Sequence, residues 1–216
     1  MTESAATAWV GLHDRLRAGT ADLHHAAEAA FNPRHRLSTM DSYVDLLDRL
    51  WALHAGIEAA LGVHGPRLFG LELQARRRSP LLGLDLQATA RRHPRFAPVP
   101  FTYASPAAAL GGLYVLEGST LGGRVLIRLA EASLGVSRQR GGRFLAGHGS
   151  DTGRLWRDFL EALAVIPAGG DAGDQAVAGA RRTFAAFVDR LADCQQAALA
   201  EGTEMKARVG RLPSAM

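Results

Sequence analysis

The chain has 216 residues, of which 47% are hydrophobic and 21% charged; this composition predicts one folded domain with a sizeable core and excludes a disordered chain. The net charge is only +4, and the densest basic run, Arg76-Arg77-Arg78, has no interleaved aromatic residues, so we interpret it as a solvated turn and expect no nucleic-acid binding. The single cysteine, Cys194, excludes an intrachain disulfide and a CxxC metal site, and suits a reducing cytoplasm.

The N-terminal part of the chain predicts a helix and no targeting signal. Residues 1–10 lack the basic region and the apolar segment of a signal peptide, and no run in the chain approaches the ~20 apolar residues of a membrane span. We therefore expect a cytoplasmic protein that is neither exported nor inserted into a membrane. A first helix is predicted from Ser4 to Ala30, where Asn32-Pro33 ends it.

Helical patterns continue along the rest of the chain. A second helix is predicted after a capping-box pattern at Ser38–Asp41, with an apolar face until Gly62. Five prolines make residues 63–104 irregular, with short helical pieces expected around 68–76 and 81–91. Ser105-Pro106 is a typical start for a long helix that ends near Gly135. Two further helices are predicted, one starting at Ser150 or Asp151 and one near Asp174.

No alternating run is long enough for a strand, so the predicted fold class is all-α. We expect a single domain over residues 1–206, followed by a loose tail at 207–216.

The most unusual stretch is Tyr114–Arg124, which contains Gly118, Gly122 and Gly123 within a predicted helix. Each glycine in a helix interior costs on the order of 0.5–1 kcal/mol relative to alanine, so their presence needs another explanation. Gly118 and Gly122 are four residues apart and share a face. The glycines therefore indicate either a close helix–helix crossing or a flat ligand against the backbone.

A histidine pair in the first helix is the second unusual feature. None of the eight histidines has the spacing of a zinc site on one helix, and the chain lacks the Glu-x-x-His motifs of a di-iron bundle. His24 and His25 point about 100° apart, so we expect one inside and one outside, with His24 nearer the apolar face. Thr20 and Glu28 lie one turn either side of His24. It is either a buried histidine with ordinary partners, or an axial iron ligand oriented by Glu28.

Together these two stretches resemble the haem oxygenase family. Arg17-x-x-Thr20-x-x-x-His24-x-x-x-Glu28 is similar to the proximal helix of that family, and Tyr114–Arg124 is similar to its glycine-rich distal helix, most of all in bacterial, biliverdin-producing members. The resemblance extends to 43–61, 144–159 and 180–191 and so spans most of the chain. It implies an all-α domain that holds haem between the proximal and distal helices.

The resemblance also implies roles for individual residues. His24 would be the iron ligand, with Glu28 as its partner. A second group would bind the cofactor, with Arg17 on a propionate: Arg17, Tyr114, Arg157 and Phe184. On the catalytic side, the distal glycines would let the backbone approach the ligand closely: Gly118, Gly122 and Gly123. Ser119 stands where animal members have the aspartate that organises water, so Ser119 or backbone groups would take over that task.

By the same resemblance, the expected activity is oxidative opening of haem b, which is both cofactor and substrate. Dioxygen is the co-substrate, and the products are biliverdin, carbon monoxide and ferrous iron. The expected partners are an external electron donor, such as a ferredoxin or a flavoprotein reductase, and a bacteriophytochrome that receives biliverdin. Two alternatives remain: a haem carrier or sensor without turnover, and a helical scaffold whose glycines only permit tight packing.

Overall fold

The computed structural model describes residues 11–209, with the side chains of residues 11–192 apart from residue 124. The helices in this part are α1 (Leu12–Gly19), α2 (Ala21–Phe31), α3 (Pro33–Arg36), α4 (Met40–Gly62), α5 (Ser79–Ala90), α6 (Pro106–Leu134), α7 (Arg143–Ala146), α8 (Thr152–Ala164) and α9 (Gly170–Val209). The all-α prediction is confirmed. Since α9 continues to Val209, residues 207–209 are helical, and the rest of the predicted tail lies outside the described residues.

The predicted first helix is interrupted at Thr20. Its residues 4–10 lie outside the described part of the chain, and the remainder forms α1 and α2. Thr20 has φ −127° and ψ 3°, and its buried hydroxyl donates to the carbonyl oxygen of Leu16 at 2.7 Å. Such a bond back to the preceding turn bends helices. The α1 end also packs closely on α9, because a Cβ on Gly19 would lie 2.9 Å from Cγ1 of Val177.

Helix α4 ends where the sequence predicts, and its capping box lies one residue later than the predicted Ser38–Asp41. The side chain of Thr39 accepts from the Ser42 amide at 3.2 Å, and Ser42 accepts from the Thr39 amide at 3.3 Å, which completes a capping box. The helix buries a row of apolar side chains in the core, including Leu46, Leu53 and Ile57. It thereby forms one wall of the domain.

The segment between α4 and α6 contains a small hairpin that the sequence did not predict. Strands β1 (Arg67–Leu68) and β2 (Leu71–Glu72) pair antiparallel, and the two residues between them have positive φ, at 49° for Phe69 and 82° for Gly70. Positive φ at both positions is typical of a tight hairpin turn. The helical piece expected at 68–76 was therefore wrong apart from a 3₁₀ turn at Gln74–Arg76, whereas the piece at 81–91 corresponds to α5.

The arginine run is not the solvated turn that we expected. Arg76 is 6% exposed and Arg78 only 2%. Arg76 forms a buried ion pair with Glu117 of α6, at 2.8 Å, and Arg77 is the one member of the run that lies at the surface. The prediction failed because the segment passes beneath α6, where polar partners stabilise the buried guanidinium groups.

Helices α6 and α9 cross with their backbones in direct contact. A Cβ on Gly111 would lie 1.8 Å from the carbonyl oxygen of Ala176, and one on Gly179 would lie 2.0 Å from that of Ala108. Ser105 caps α6 by accepting from the Ala108 amide at 3.2 Å, as predicted. This crossing fixes the N-terminal half of α6 and so positions the glycines in its C-terminal half. Across the described residues, no helix has both the length and the hydropathy to cross a membrane.

Candidate haem site

The two neighbouring histidines both lie at the surface of α2. The side chain of His24 is 53% exposed and that of His25 is 81% exposed, so the expectation of one histidine inside was wrong. Each Nδ1 lies 3.7 Å from Oε2 of Glu28. The difference between the two comes from α9, because the ring of Phe184 packs edge-to-face on His24, with ring centroids 5.6 Å apart.

His24 therefore combines access with a defined orientation. Its ring is reachable from solvent, one nitrogen faces a carboxylate and one edge packs on an aromatic ring. An exposed imidazole whose second nitrogen faces a carboxylate suits a metal ligand, since the carboxylate orients the ring and increases its basicity. His25 shares Glu28 but extends further into solvent.

Tyr114 connects the distal helix with the junction of α1 and α2. It is half-buried, and its ring lies edge-on to that of His13, with centroids 6.1 Å apart. Burial raises the pKa of Tyr114, while a hydrogen bond with Thr20 and the positive charge of Arg17 oppose this. Arg17 is exposed on α1 and lies close enough to Tyr114 for its charge to act on the phenol.

The structure does not connect Arg157 with the other candidates. It lies exposed on α8 and makes no hydrogen bond or ion pair with any residue described. Its neighbour Trp156 contacts His13 with ring centroids 6.0 Å apart, so α8 does approach α1. Arg157 stays a prediction from the resemblance alone.

The three distal glycines differ in what surrounds them. A Cβ added to Gly118 or to Gly122 would meet no atom within 4 Å outside the helix itself. A Cβ on Gly123 would lie 2.3 Å from the carbonyl oxygen of Leu145. Gly123 is thus required by the close approach of α7, whereas Gly118 and Gly122 leave an open strip on α6.

Ser119 lies beside this strip and is held by Arg78. The hydroxyl donates to the carbonyl oxygen of Leu116 at 2.7 Å and accepts from Nη1 of Arg78 at 2.8 Å. The guanidinium group also donates to the carbonyl oxygen of Phe144 at 2.8 Å and lies 4.0 Å above its ring centroid. Burial lowers the pKa of Arg78 to about 10, although the charges of Glu117 and Glu58 oppose this. No pattern in the sequence indicates this contact.

A buried polar cluster lies behind Arg78. Glu58 of α4 accepts from the amides of Arg78 and Ser79, at 2.7 and 2.9 Å, and from the Ser79 hydroxyl at 2.5 Å. Burial alone would raise the pKa of Glu58, but contacts with His54 and Ser79 lower it to about 2. Nδ1 of His54 lies 3.6 Å from Glu58, yet neither ring nitrogen has a hydrogen-bond partner among the described residues. The spacing of His54 and Glu58 could have indicated this pair.

The residues present fit a flat haem. Helix α2 offers an accessible imidazole, His24, which packs on the ring of Phe184 from α9. On α6, the Gly118 and Gly122 positions leave space that side chains would fill. A cation, Arg17, lies exposed in α1, where a carboxylate of the ring could meet it.

Comparison with known proteins shows the family. The "Heme oxygenase" family model matches residues 10–193. A heme oxygenase of Xanthomonas campestris pv. campestris (strain 8004) is 36% identical over 156 residues, covering 70% of this chain and 90% of the relative. The NO- and CO-bound heme oxygenase of Neisseria meningitidis superposes with a TM-score of 0.72 at 26% identity, covering 86% of this chain and 92% of that one.

A more distant structure shares the fold. Heme oxygenase-1 of the cyanobacterium Synechocystis sp. PCC 6803, solved in complex with heme, has a TM-score of 0.70 at 17% identity and covers 93% of this chain and 99% of that one. The family match spans α1 to α8 and most of the described part of α9. The chain therefore belongs to the haem oxygenase family and is an enzyme of that all-α fold.

Proposed function

We propose that this protein opens the haem ring with dioxygen and external electrons, and so produces biliverdin, carbon monoxide and ferrous iron. The observation that carries the proposal is the open strip at Gly118 and Gly122, where helix α6 has no side chain and no neighbour within 4 Å. Stability does not explain it, because alanine would favour the helix at both positions. A ligand that lies against the backbone does.

His24 would hold the iron, and Glu28 would orient the imidazole. At 3.7 Å the Nδ1 to Oε2 distance is longer than a hydrogen bond, so a small rotation of either side chain would close it on binding. Phe184, which already contacts His24, would pack on the ring. Bound haem supplies the redox chemistry and is itself the substrate.

Cations near the rim would orient the ring through its propionates. Arg17 makes no hydrogen bond or ion pair within the described part of the chain, so its guanidinium group is available for bidentate pairing with a carboxylate. Tyr114, next to it, can donate its hydroxyl. Arg157 of α8 is a second exposed arginine with the same chemistry.

On the α6 side, Gly118 and Gly122 would leave room for dioxygen, and the Ser119 hydroxyl would order a water molecule. Gly123 would contribute by letting α7 approach, since a Cβ at this position would collide with the backbone of Leu145. A serine cannot ionise as the aspartate of animal members does. The proton would therefore come through an ordered water.

The electrons would come from a separate protein of the ferredoxin or flavoprotein reductase class, and a bacteriophytochrome would receive the biliverdin. The net charge of +4 suits an acidic electron donor, because complementary charge speeds association. The cytoplasm, where such donors and thiol-reducing conditions occur, would be the site of action.

A haem titration followed by one aerobic turnover tests the proposal. The protein should develop a Soret band that saturates at one haem per chain, and ascorbate in air should then convert the haem to biliverdin, identified by chromatography. A Soret band without verdohaem or biliverdin would instead support a haem carrier or sensor, for which the serine at position 119 is the favouring observation. Without any Soret band, a helical scaffold would be the better explanation.

A further inference from the structure

We propose that Arg78 is a positioning residue that fixes the hydroxyl of Ser119 as a hydrogen-bond acceptor facing the α6 strip. Arg78 and Ser119 would together take over the water-ordering task for which other members use one carboxylate. This inference rests on the proposed function, since it concerns the same side of the same site.

The hydroxyl of Ser119 has one hydrogen-bonding position left for a water. A hydroxyl has one proton and two acceptor positions. In Ser119 the proton goes to the carbonyl oxygen of Leu116, at 2.7 Å, and one acceptor position is taken by Nη1 of Arg78, at 2.8 Å. Only one acceptor position is left. A water bound there must donate to Ser119, and its other proton is then free for a ligand over the glycine strip.

Without Arg78 this orientation would be lost. A mid-helix serine can rotate between its backbone bond and solvent, so it would hold a water in several ways. The planar guanidinium group is itself fixed by the carbonyl oxygen of Phe144, at 2.8 Å, and by the Phe144 ring 4.0 Å below it. Arg78 therefore transmits a rigid geometry from α7 to Ser119.

Arg78 also carries a buried positive charge next to Ser119. Arg78 is 2% exposed, yet its guanidinium group forms no ion pair with a carboxylate among the described residues. Glu117 pairs with Arg76, and Glu58 receives the backbone amide of Arg78 rather than its side chain. A buried cation without a direct counter-ion is costly. The charges of Glu117 and Glu58 act on the guanidinium group without a direct contact, whereas its Nη1 donates directly to Ser119. The positive charge therefore lies next to a water bound at Ser119 and makes that water a better proton donor.

The competing explanation is structural: Arg78 could simply join α7 to α6 through Phe144 and Ser119. Arg76 offers a matched control, since it is also buried, two residues away, and joins α6 to α8 through Glu117 and the carbonyl oxygen of Leu155. The double variant Arg76→Met/Glu117→Met removes a buried arginine without changing the net charge and without touching Ser119.

The experiment compares Arg78→Met, Arg78→Lys, Ser119→Ala and Arg78→Met/Ser119→Ala with this control. Carbon monoxide is bound to the ferrous haem complex of each, and the C–O stretching frequency is measured by infrared spectroscopy. A hydrogen-bond donor or positive field near the ligand lowers that frequency. Single-turnover biliverdin formation and the melting temperature of the haem-free protein are measured in parallel.

We expect Arg78→Met and Ser119→Ala each to raise the stretching frequency and to slow turnover by at least about tenfold, as loss of a proton-delivering group does. In Arg78→Met/Ser119→Ala, the frequency shift and the loss of turnover should be no larger than the larger of the two single-variant effects, because both residues act on one water. Arg78→Lys should give an intermediate shift, since an ammonium group keeps the charge but not the planar fork. The Arg76/Glu117 control keeps the hydrogen bond between Arg78 and Ser119 but removes the charge of Glu117, which acts on Arg78, so it should shift the frequency less than either Arg78→Met or Ser119→Ala.

An unchanged frequency in Ser119→Ala, or additive effects in the double variant, would overturn the inference. Ser119→Ala is decisive should Arg78→Met fail to fold, because it leaves the buried arginine in place. Wild-type protein that makes no biliverdin would instead refute the proposed function itself, so the two failures are distinguishable.

Discussion

Replacing Gly122 with alanine distinguishes a glycine that faces a ligand from a glycine that a close helix–helix crossing requires. A Cβ at this position meets no atom within 4 Å, so the methyl group creates no clash in the haem-free protein. Alanine is the better helix former by up to ~1 kcal/mol. For a chain of this size, 1 kcal/mol corresponds to about 2–4 °C in melting temperature. Haem-free Gly122→Ala should therefore melt at the wild-type temperature or a few degrees higher.

Gly111→Ala is the matched control on the same helix. Its Cβ would lie 1.8 Å from the carbonyl oxygen of Ala176 and 2.7 Å from the carbonyl carbon. Neither atom can move without shifting α9, so the substitution overpacks the crossing and should cost roughly 1–3 kcal/mol or more. The haem-free control should therefore melt several degrees below wild type.

The two variants should also differ in activity. The methyl group of Gly122→Ala occupies the strip where we place dioxygen and its water, so turnover should fall although stability does not. Gly122→Val should lower turnover further and weaken haem binding. The assay is thermal melting of the haem-free proteins beside the single-turnover rate. A destabilised Gly122→Ala protein that makes biliverdin at the normal rate would refute the assignment of Gly122 to the ligand.

Three further predictions test other parts of the site and the fold. His24→Ala should abolish biliverdin formation and change the ferric spectrum while His25→Ala leaves both nearly intact; the reverse result would assign the iron to His25. Arg17→Glu should weaken haem binding or change the mixture of biliverdin isomers, and no change in either would exclude Arg17 from the site. Glu58 has its pKa lowered from 4.5 to about 2, so it stabilises the fold above pH 4.5 and this contribution is lost as the pH falls toward 2. Urea unfolding at pH 6 and pH 3 should show a smaller loss of stability in Glu58→Gln than in wild type, whereas Glu72→Gln, at an exposed carboxylate, should behave as wild type.

Helices with strong local signals were predictable from the sequence. Ser105-Pro106 and Gly135 bound α6 because capping chemistry is local, and the structure has those residues as its N-cap and C-cap. The break at Thr20 was not predictable. The hydrogen bond from Thr20 to Leu16 is local, but Gly19 also packs against Val177, 158 residues away in the chain, and no local pattern records that second contact.

In the candidate site, too, short-range patterns were predictable and long-range contacts were not. The spacing of His24 and Glu28 and that of Gly118 and Gly122 are short-range patterns, and they led to the family that the comparisons confirm. The contact of Arg78 with Ser119 joins residues 41 positions apart. Three consecutive arginines are usually solvated, so burial of two of them depends on acceptors that only the folded chain brings together.

The open strip on α6 depends on contacts at both of its ends. On the N-terminal side, Gly111 puts the helix backbone directly on that of α9; on the C-terminal side, Gly123 does the same with Leu145 of α7. Gly118 and Gly122 lie between these two contacts in the sequence, and a Cβ at either position would meet no atom of another element within 4 Å. Dense packing at the two contacts resists a shift of the helix. Glycines that look equivalent in the sequence therefore have two functions: some hold α6 in place, and the others can stay bare because α6 is held.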